Sequence, residues 1–167
     1  MELHLIRHAA AAERGPDYPD DSQRPLIAKG ERQARELAEG LAQQRLLLDM
    51  LLSSPWLRAW QTAAALAPLS RGGALALPEL AQGDPARTTA ALVDALAVAG
   101  AGDGACIAAV GHEPWLSQLA AHLTGADAIA GAFVFRKAAV MTLAGELRAG
   151  GMRIEALVPM RLRRRLR

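Results

Sequence analysis

The chain of 167 residues holds one cysteine, Cys106, so no disulfide can form within it. It also has no apolar run that approaches the ~20 residues of a membrane span. The opening Met1-Glu2-Leu3-His4-Leu5-Ile6-Arg7-His8 lacks the basic segment and long apolar core of a secretion signal. These absences together lead us to expect a cytoplasmic protein. Three familiar motifs are missing as well. Gly100-Ala101-Gly102-Asp103-Gly104 is glycine-rich, but it precedes an expected strand, whereas a nucleotide fingerprint follows one and opens a helix. His112-Glu113 continues as Pro114-Trp115-Leu116, without the second histidine of a zinc helix. No Gly-x-Ser-x-Gly elbow occurs. We therefore expect neither a metal nor a nucleotide cofactor.

Hydrophobic residues make up 51% of the chain, enough for one sizeable core, and no linker or internal repeat divides it. We expect one domain over residues 1–160 and a basic tail over 161–167. The formal charge of +2 depends on that tail, where Arg161, Arg163, Arg164, Arg165 and Arg167 cluster; without them 14 basic side chains face 17 acidic ones. The tail reads as a solvated terminus, the alternative being contact with an anionic partner. No nucleic-acid partner is expected.

Leu3-His4-Leu5-Ile6 reads as a buried first strand, followed by an irregular stretch rich in glycine, proline and aspartate. Ala34, Leu37, Ala38 and Leu41 fall at helical spacing and predict a helix over 28–44. A second strand is expected over 49–54, a helix over 55–68, a weak strand over 75–77 and a helix over 85–99. The clearest central strand spans 105–110, with a helix over 113–123 after it. Residues 133–135, 140–143 and 153–158 read as final strands, some of them antiparallel. Strands alternating with helices predict a three-layer α/β/α sandwich around a mostly parallel sheet.

Three segments share one position in this pattern. Arg7-His8 follows the first strand, Ser53 to Arg58 the second, and Gly111-His112 the central one. Sites in open parallel sheets form beyond the carboxyl ends of the strands. That rim would gather two histidines and at least two arginines with no obvious neutralising carboxylate. A pocket of this kind suits a phosphoryl group.

These residues also carry a resemblance. Arg7-His8-Ala9 after its strand resembles the first signature of the histidine phosphatase superfamily, whose fold is phosphoglycerate mutase-like. Ser54-Pro55-Trp56-Leu57-Arg58-Ala59-Trp60-Gln61-Thr62-Ala63 resembles its Ser-Pro-x-x-Arg-Ala-x-Gln-Thr-Ala segment, and Val110-Gly111-His112-Glu113-Pro114 its second histidine motif. Arg24-Pro25-Leu26, then Gly30 and Gln33-Ala34, resembles the short SixA-type phosphohistidine phosphatases. Where that family often places Thr or Ser before the helix, this chain has Ile27.

The resemblance implies that His8 attacks phosphorus and becomes a phosphohistidine that water hydrolyses. Arg7, Arg58 and His112 would stabilise the equatorial oxygens, His112 as a cation or as an N–H donor. Arg24 would add a phosphate contact or fix its loop. For the proton donor, Asp21 comes first because its loop starts at the nucleophile, with Glu113 and Glu79 as alternatives. The short chain lacks the long insertions that cover the site in mutases, so an open site and a phosphorylated protein substrate are expected. A small phosphate ester is the alternative, and a phosphoprotein-binding module with weak catalysis is another. His4 and His122 read as structural, Trp56 and Trp60 as packing residues, Trp115 as core or as the mouth of the site, and Cys106 as inert.

Overall fold

Alternation of side chains along the first strand, β1 (Glu2–Arg7), decides which helices cover which side of the sheet. Leu3 and Leu5 enter one core with Leu52, Ile107 and Met141, while Ile6 enters a second with Leu51, Ala108, Val110 and Val140. In the computed structural model, which describes residues 1–102, 104–126, 131 and 133–159, these two cores lie on opposite faces of one six-stranded sheet.

The other strands are β2 (Met50–Ser53), β3 (Ala74–Ala76), β4 (Cys106–Gly111), β5 (Val140–Gly145) and β6 (Met152–Val158). They lie in the order β3-β2-β4-β1-β5-β6. Pairing is parallel from β3 through β2 and β4 to β1, then antiparallel from β1 to β5 and β6. Helices α1 (Ala28–Gln43) and α2 (Leu57–Leu66) cover one face through Ala34, Leu37, Leu41, Ala59, Ala63 and Leu66. The short α3 (Glu79–Gln82), α4 (Pro85–Val98) and α5 (Trp115–Thr124) cover the other through Leu80, Leu92, Leu96, Leu116 and Leu119. Burying each such leucine contributes about 1.5–3 kcal/mol, and the α/β/α sandwich follows.

Local chemistry sets several ends. Asp84 caps α4 by accepting from the Arg87 N–H, with Pro85 in the first turn. Gly125 ends α5 in the left-handed conformation, φ 69°. α1 begins at Ile27, which makes no side-chain cap hydrogen bond.

Two expectations need correction, and one short helix is not among those expected. Residues 133–135 form no strand, because their backbone groups are held elsewhere. The Phe135 N–H donates to Glu113, the Phe133 carbonyl accepts from the Ser117 hydroxyl, and the Phe135 carbonyl accepts from Arg7. α2 starts at Leu57 rather than at Pro55, and a turn of 3-10 helix, Ala67–Leu69, completes it. α3 has four residues, too few to show a periodicity. The basic tail expected over 161–167 lies outside the described residues.

Candidate active site

Parallel pairing of β1, β4 and β2 brings three chain crossings to one rim. The His8 N–H donates to the Gly111 carbonyl at 3.1 Å and the Ser54 N–H to the Val110 carbonyl at 2.9 Å. His8, Arg58 and His112 are buried there, and the His8 and His112 rings stand 5.0 Å apart.

The protons on His8 follow from its neighbours. Its Nδ1 lies 2.8 Å from the Ala9 carbonyl, which can only accept, so Nδ1 carries the hydrogen. Its Nε2 accepts from Arg58 Nε at 3.3 Å and lies 3.4 Å from Lys137 Nζ. Burial, helped by the Lys137 charge and the His112 ring, pushes the His8 pKa down to about 2. The ring is therefore neutral at physiological pH, with its Nε2 lone pair facing cations.

His112 is held on the opposite side of the pocket. Its Nε2 lies 2.8 Å from the Ser54 hydroxyl, which also accepts from the Trp56 N–H at 3.2 Å. When the hydroxyl donates its hydrogen to Nε2, the ring proton sits on Nδ1. This Nδ1 is buried with no hydrogen-bond partner, as is Arg7 Nε. Burial and the Arg58 charge push the His112 pKa down to about 3, so the ring is neutral in the free pocket. Trp56 packs on His112 at 4.7 Å between centroids, and the Arg58 guanidinium lies 4.7 Å from the same tryptophan ring.

The pocket is not free of carboxylates, contrary to expectation. Asp21, in a turn of 3-10 helix (Asp21–Gln23), accepts from Arg14 Nε at 3.0 Å, Arg24 Nε at 2.7 Å and Arg58 Nη2 at 2.9 Å. Its backbone carbonyl accepts from Arg58 Nη1 at 2.6 Å. These arginines hold its carboxyl far below the ordinary carboxylate range. A carboxylate kept ionised in this way orients Arg58 and is a poor source of protons. Arg24 also donates to the Ala12 carbonyl at 2.6 Å, so it fastens the loop. Glu113 is occupied: its oxygens accept from the Ser117 hydroxyl and N–H and from the Phe135 N–H. Glu79 lines a neighbouring cavity of about 640 Å³ with Trp56, Asp84 and Arg87, and its ion pair with Arg87 is 3.9 Å long.

The remaining motif residues brace the loop after His8. Thr62 accepts from the Ala9 N–H, Gln33 from Ala10 and Gln61 from Leu26. Gly30 lets α1 pass directly under this loop, since a Cβ there would meet the Ala10 carbonyl oxygen.

Sequence reasoning missed Lys137. A single lysine in a loop carries no spacing signal, and its approach to His8 depends on a contact 129 residues apart in sequence. Among the described residues, one group of three could hold a metal ion: Glu2, His4 and Cys106, whose ligand atoms lie within 4.8 Å of one another. Glu2 pairs with Cys106 at the amino ends of β1 and β4, the opposite end of the sheet from His8.

Comparison with known proteins agrees with this geometry. Residues 3–84 match the model of the histidine phosphatase superfamily (branch 1). The chain is 35% identical over 161 residues to an uncharacterised protein of Picosynechococcus, covering 93% of this chain and 90% of that one. It is 33% identical over 127 residues to the phosphohistidine phosphatase SixA of Escherichia coli, covering 74% of each. Among solved structures, the protein histidine phosphatase SixA complexed with tungstate superposes with a TM-score of 0.80 at 26% identity, over 97% of this chain and 99% of that one. A phosphoserine phosphatase of Entamoeba histolytica shares the fold, with a TM-score of 0.73 at 14% identity over 95% of this chain and 97% of that one. A buried neutral histidine among arginines, on a sheet of this order and in a chain with these relatives, places the protein in the histidine phosphatase superfamily.

Proposed function

We propose that the chain is a cytoplasmic phosphatase that takes a phosphoryl group onto His8 Nε2, with a phosphohistidine-containing protein as its substrate and without a metal. The observation that carries this reading is the orientation of His8. Its Nδ1 proton is held by the Ala9 carbonyl, while its Nε2 lone pair faces Arg58. A group that served only to bind phosphate would present a hydrogen to it, whereas a nucleophile must present a lone pair.

In the first step the Nε2–phosphorus bond forms as the bond from phosphorus to the leaving atom breaks. Arg7, Arg58 and the His112 Nδ1–H stabilise the charge on the equatorial oxygens. We take Glu79 as the proton donor to the leaving atom: it lines the cavity beside Trp56 and its ion pair with Arg87 is long, whereas Asp21 and Glu113 accept close hydrogen bonds from several partners. Water then attacks phosphorus and gives that proton back to Glu79, which releases phosphate and restores neutral His8. An imidazole leaving group demands little of the acid, which fits a site whose carboxyls are mostly committed.

The 33% identity to an Escherichia coli phosphohistidine phosphatase supports the protein substrate. The cavity beside Trp56 favours a second reading, a small phosphomonoester whose organic part fills it. A competition assay across phosphohistidine proteins, sugar phosphates and phosphoserine peptides decides by the ranking of kcat/KM. His8→Ala should abolish turnover and the acid-labile phosphoenzyme. Retained turnover would overturn the mechanism, and a single stoichiometric burst in the unaltered protein would indicate a phosphate carrier. Vanadate or tungstate should inhibit and EDTA should leave the rate unchanged, whereas loss of activity on chelation would contradict the metal-free reading.

A further inference from the structure

Lys137 is fixed in place by the end of the nucleophile strand. On one side of it the Phe135 carbonyl accepts from Arg7. On the other, the Ala138 N–H is shared between the Arg7 and His8 carbonyls at 3.1 and 3.3 Å, and the Arg7 N–H donates to the Ala139 carbonyl at 3.1 Å. Ala138 takes a left-handed backbone, φ 57°, although it is not a glycine and is fully buried. Such a conformation is unfavourable for a residue with a Cβ and persists where the surroundings enforce it, often at functional sites. Here it brings the lysine ammonium to 3.4 Å from His8 Nε2.

The electrostatics of that position are unfavourable in the free protein. Arg7, Arg58 and Arg24 all repel the ammonium, and Asp21 is the anion that opposes them. His8 and His112, which also face it, are held neutral. Three arginines and a half-buried lysine around one nucleophile make sense once a phosphoryl dianion enters. We propose that Lys137 is a catalytic residue whose ammonium holds an equatorial oxygen of the phosphoryl group while that group passes onto His8 Nε2. This assignment rests on His8 as the nucleophile. No proton leaves the lysine in the step; it donates a hydrogen bond as the phosphorus–nitrogen bond forms and the bond to the leaving atom breaks.

A pH dependence follows. Desolvation first, and then the arginines, lower the Lys137 pKa to about 8. The ammonium is present below that value and is lost as pH rises through it. The alkaline limb of kcat/KM should therefore fall near pH 8, and that of kcat should lie higher because the bound dianion favours the charged lysine.

The test combines turnover with binding of tungstate, measured by calorimetry, in the full chain. Lys137→Met should lower kcat/KM by roughly 100-fold and weaken tungstate by at least about 10-fold. Lys137→Arg should recover most of the activity and carry the alkaline limb above pH ~10, since an arginine does not titrate there. Wild-type kcat/KM in Lys137→Met, or an unmoved limb in Lys137→Arg, would overturn the proposal. If Lys137→Met fails to fold, the limb in Lys137→Arg still decides. If the unaltered protein binds tungstate and turns over nothing, the phosphatase reading fails, and the tungstate affinity of Lys137→Met alone then judges the anion contact.

Discussion

His4 lies on β1 and His8 directly follows it; both are buried, and they stand in opposite surroundings. At the carboxyl end of β1, His8 Nε2 faces Arg58 and Lys137. At the amino end, His4 Nε2 lies 3.0 Å from the Glu2 carboxylate and 3.5 Å from the Cys106 sulfur, while its Nδ1 contacts the Thr142 hydroxyl at 3.0 Å. Burial is nearly the same for both rings, so burial alone does not make a nucleophile. The distinction lies in what each nitrogen faces. His8 is kept neutral by burial, which the nearby cations reinforce, and one carbonyl fixes its tautomer. His4 is tied to a carboxylate and a hydroxyl that satisfy it where it stands.

Substitutions at the two ends separate these roles. Beyond His8 and Lys137, the largest effect is expected at Asp21, which orients Arg58 against His8. Asp21→Asn should lower kcat/KM by roughly 10- to 100-fold, since a displaced catalytic group can cost about that much. A variant with wild-type kinetics would show that Arg58 is positioned without it. At the quiet end, His4→Gln should leave kcat/KM within about two-fold of the unaltered chain while lowering stability by about 1–3 kcal/mol in urea unfolding, the usual result of disturbing a buried polar contact. A large loss of turnover would erase the contrast between the two histidines. The smallest effect is expected at Ile27, the uncapped start of α1. Ile27→Thr supplies the missing side-chain acceptor and should stabilise the chain by about 1 kcal/mol, with turnover unchanged.

Much of this arrangement is written locally in the chain. Arg7-His8, Arg58 and His112 each follow a short apolar strand, and parallel pairing then has to put them on one rim. Gly30, Gln33, Gln61 and Thr62 are legible as motif residues, but their work as braces of the nucleophile loop emerges only from their partners. What the chain does not announce depends on distant contacts. Asp21 is legible as a candidate proton donor, but its hold on Arg58 depends on a contact 37 residues away. Phe133 and Phe135 have strand-forming side chains, yet Glu113, Ser117 and Arg7 take their backbone groups out of any ladder. Propensity is a weak guide in such a segment, because the competing partners lie elsewhere in sequence.

The position of β1 between β4 and β5 also bears on how the chain acquires its activity during synthesis. β1 precedes the other strands of the sheet in synthesis, but its neighbours begin at Cys106 and Val140, so both its edges stay unpaired until those segments have followed. Loop closure over such separations is slow, and unpaired strand edges are exposed meanwhile. A nascent or prematurely ended chain thus carries His8 without the neighbours that form its pocket.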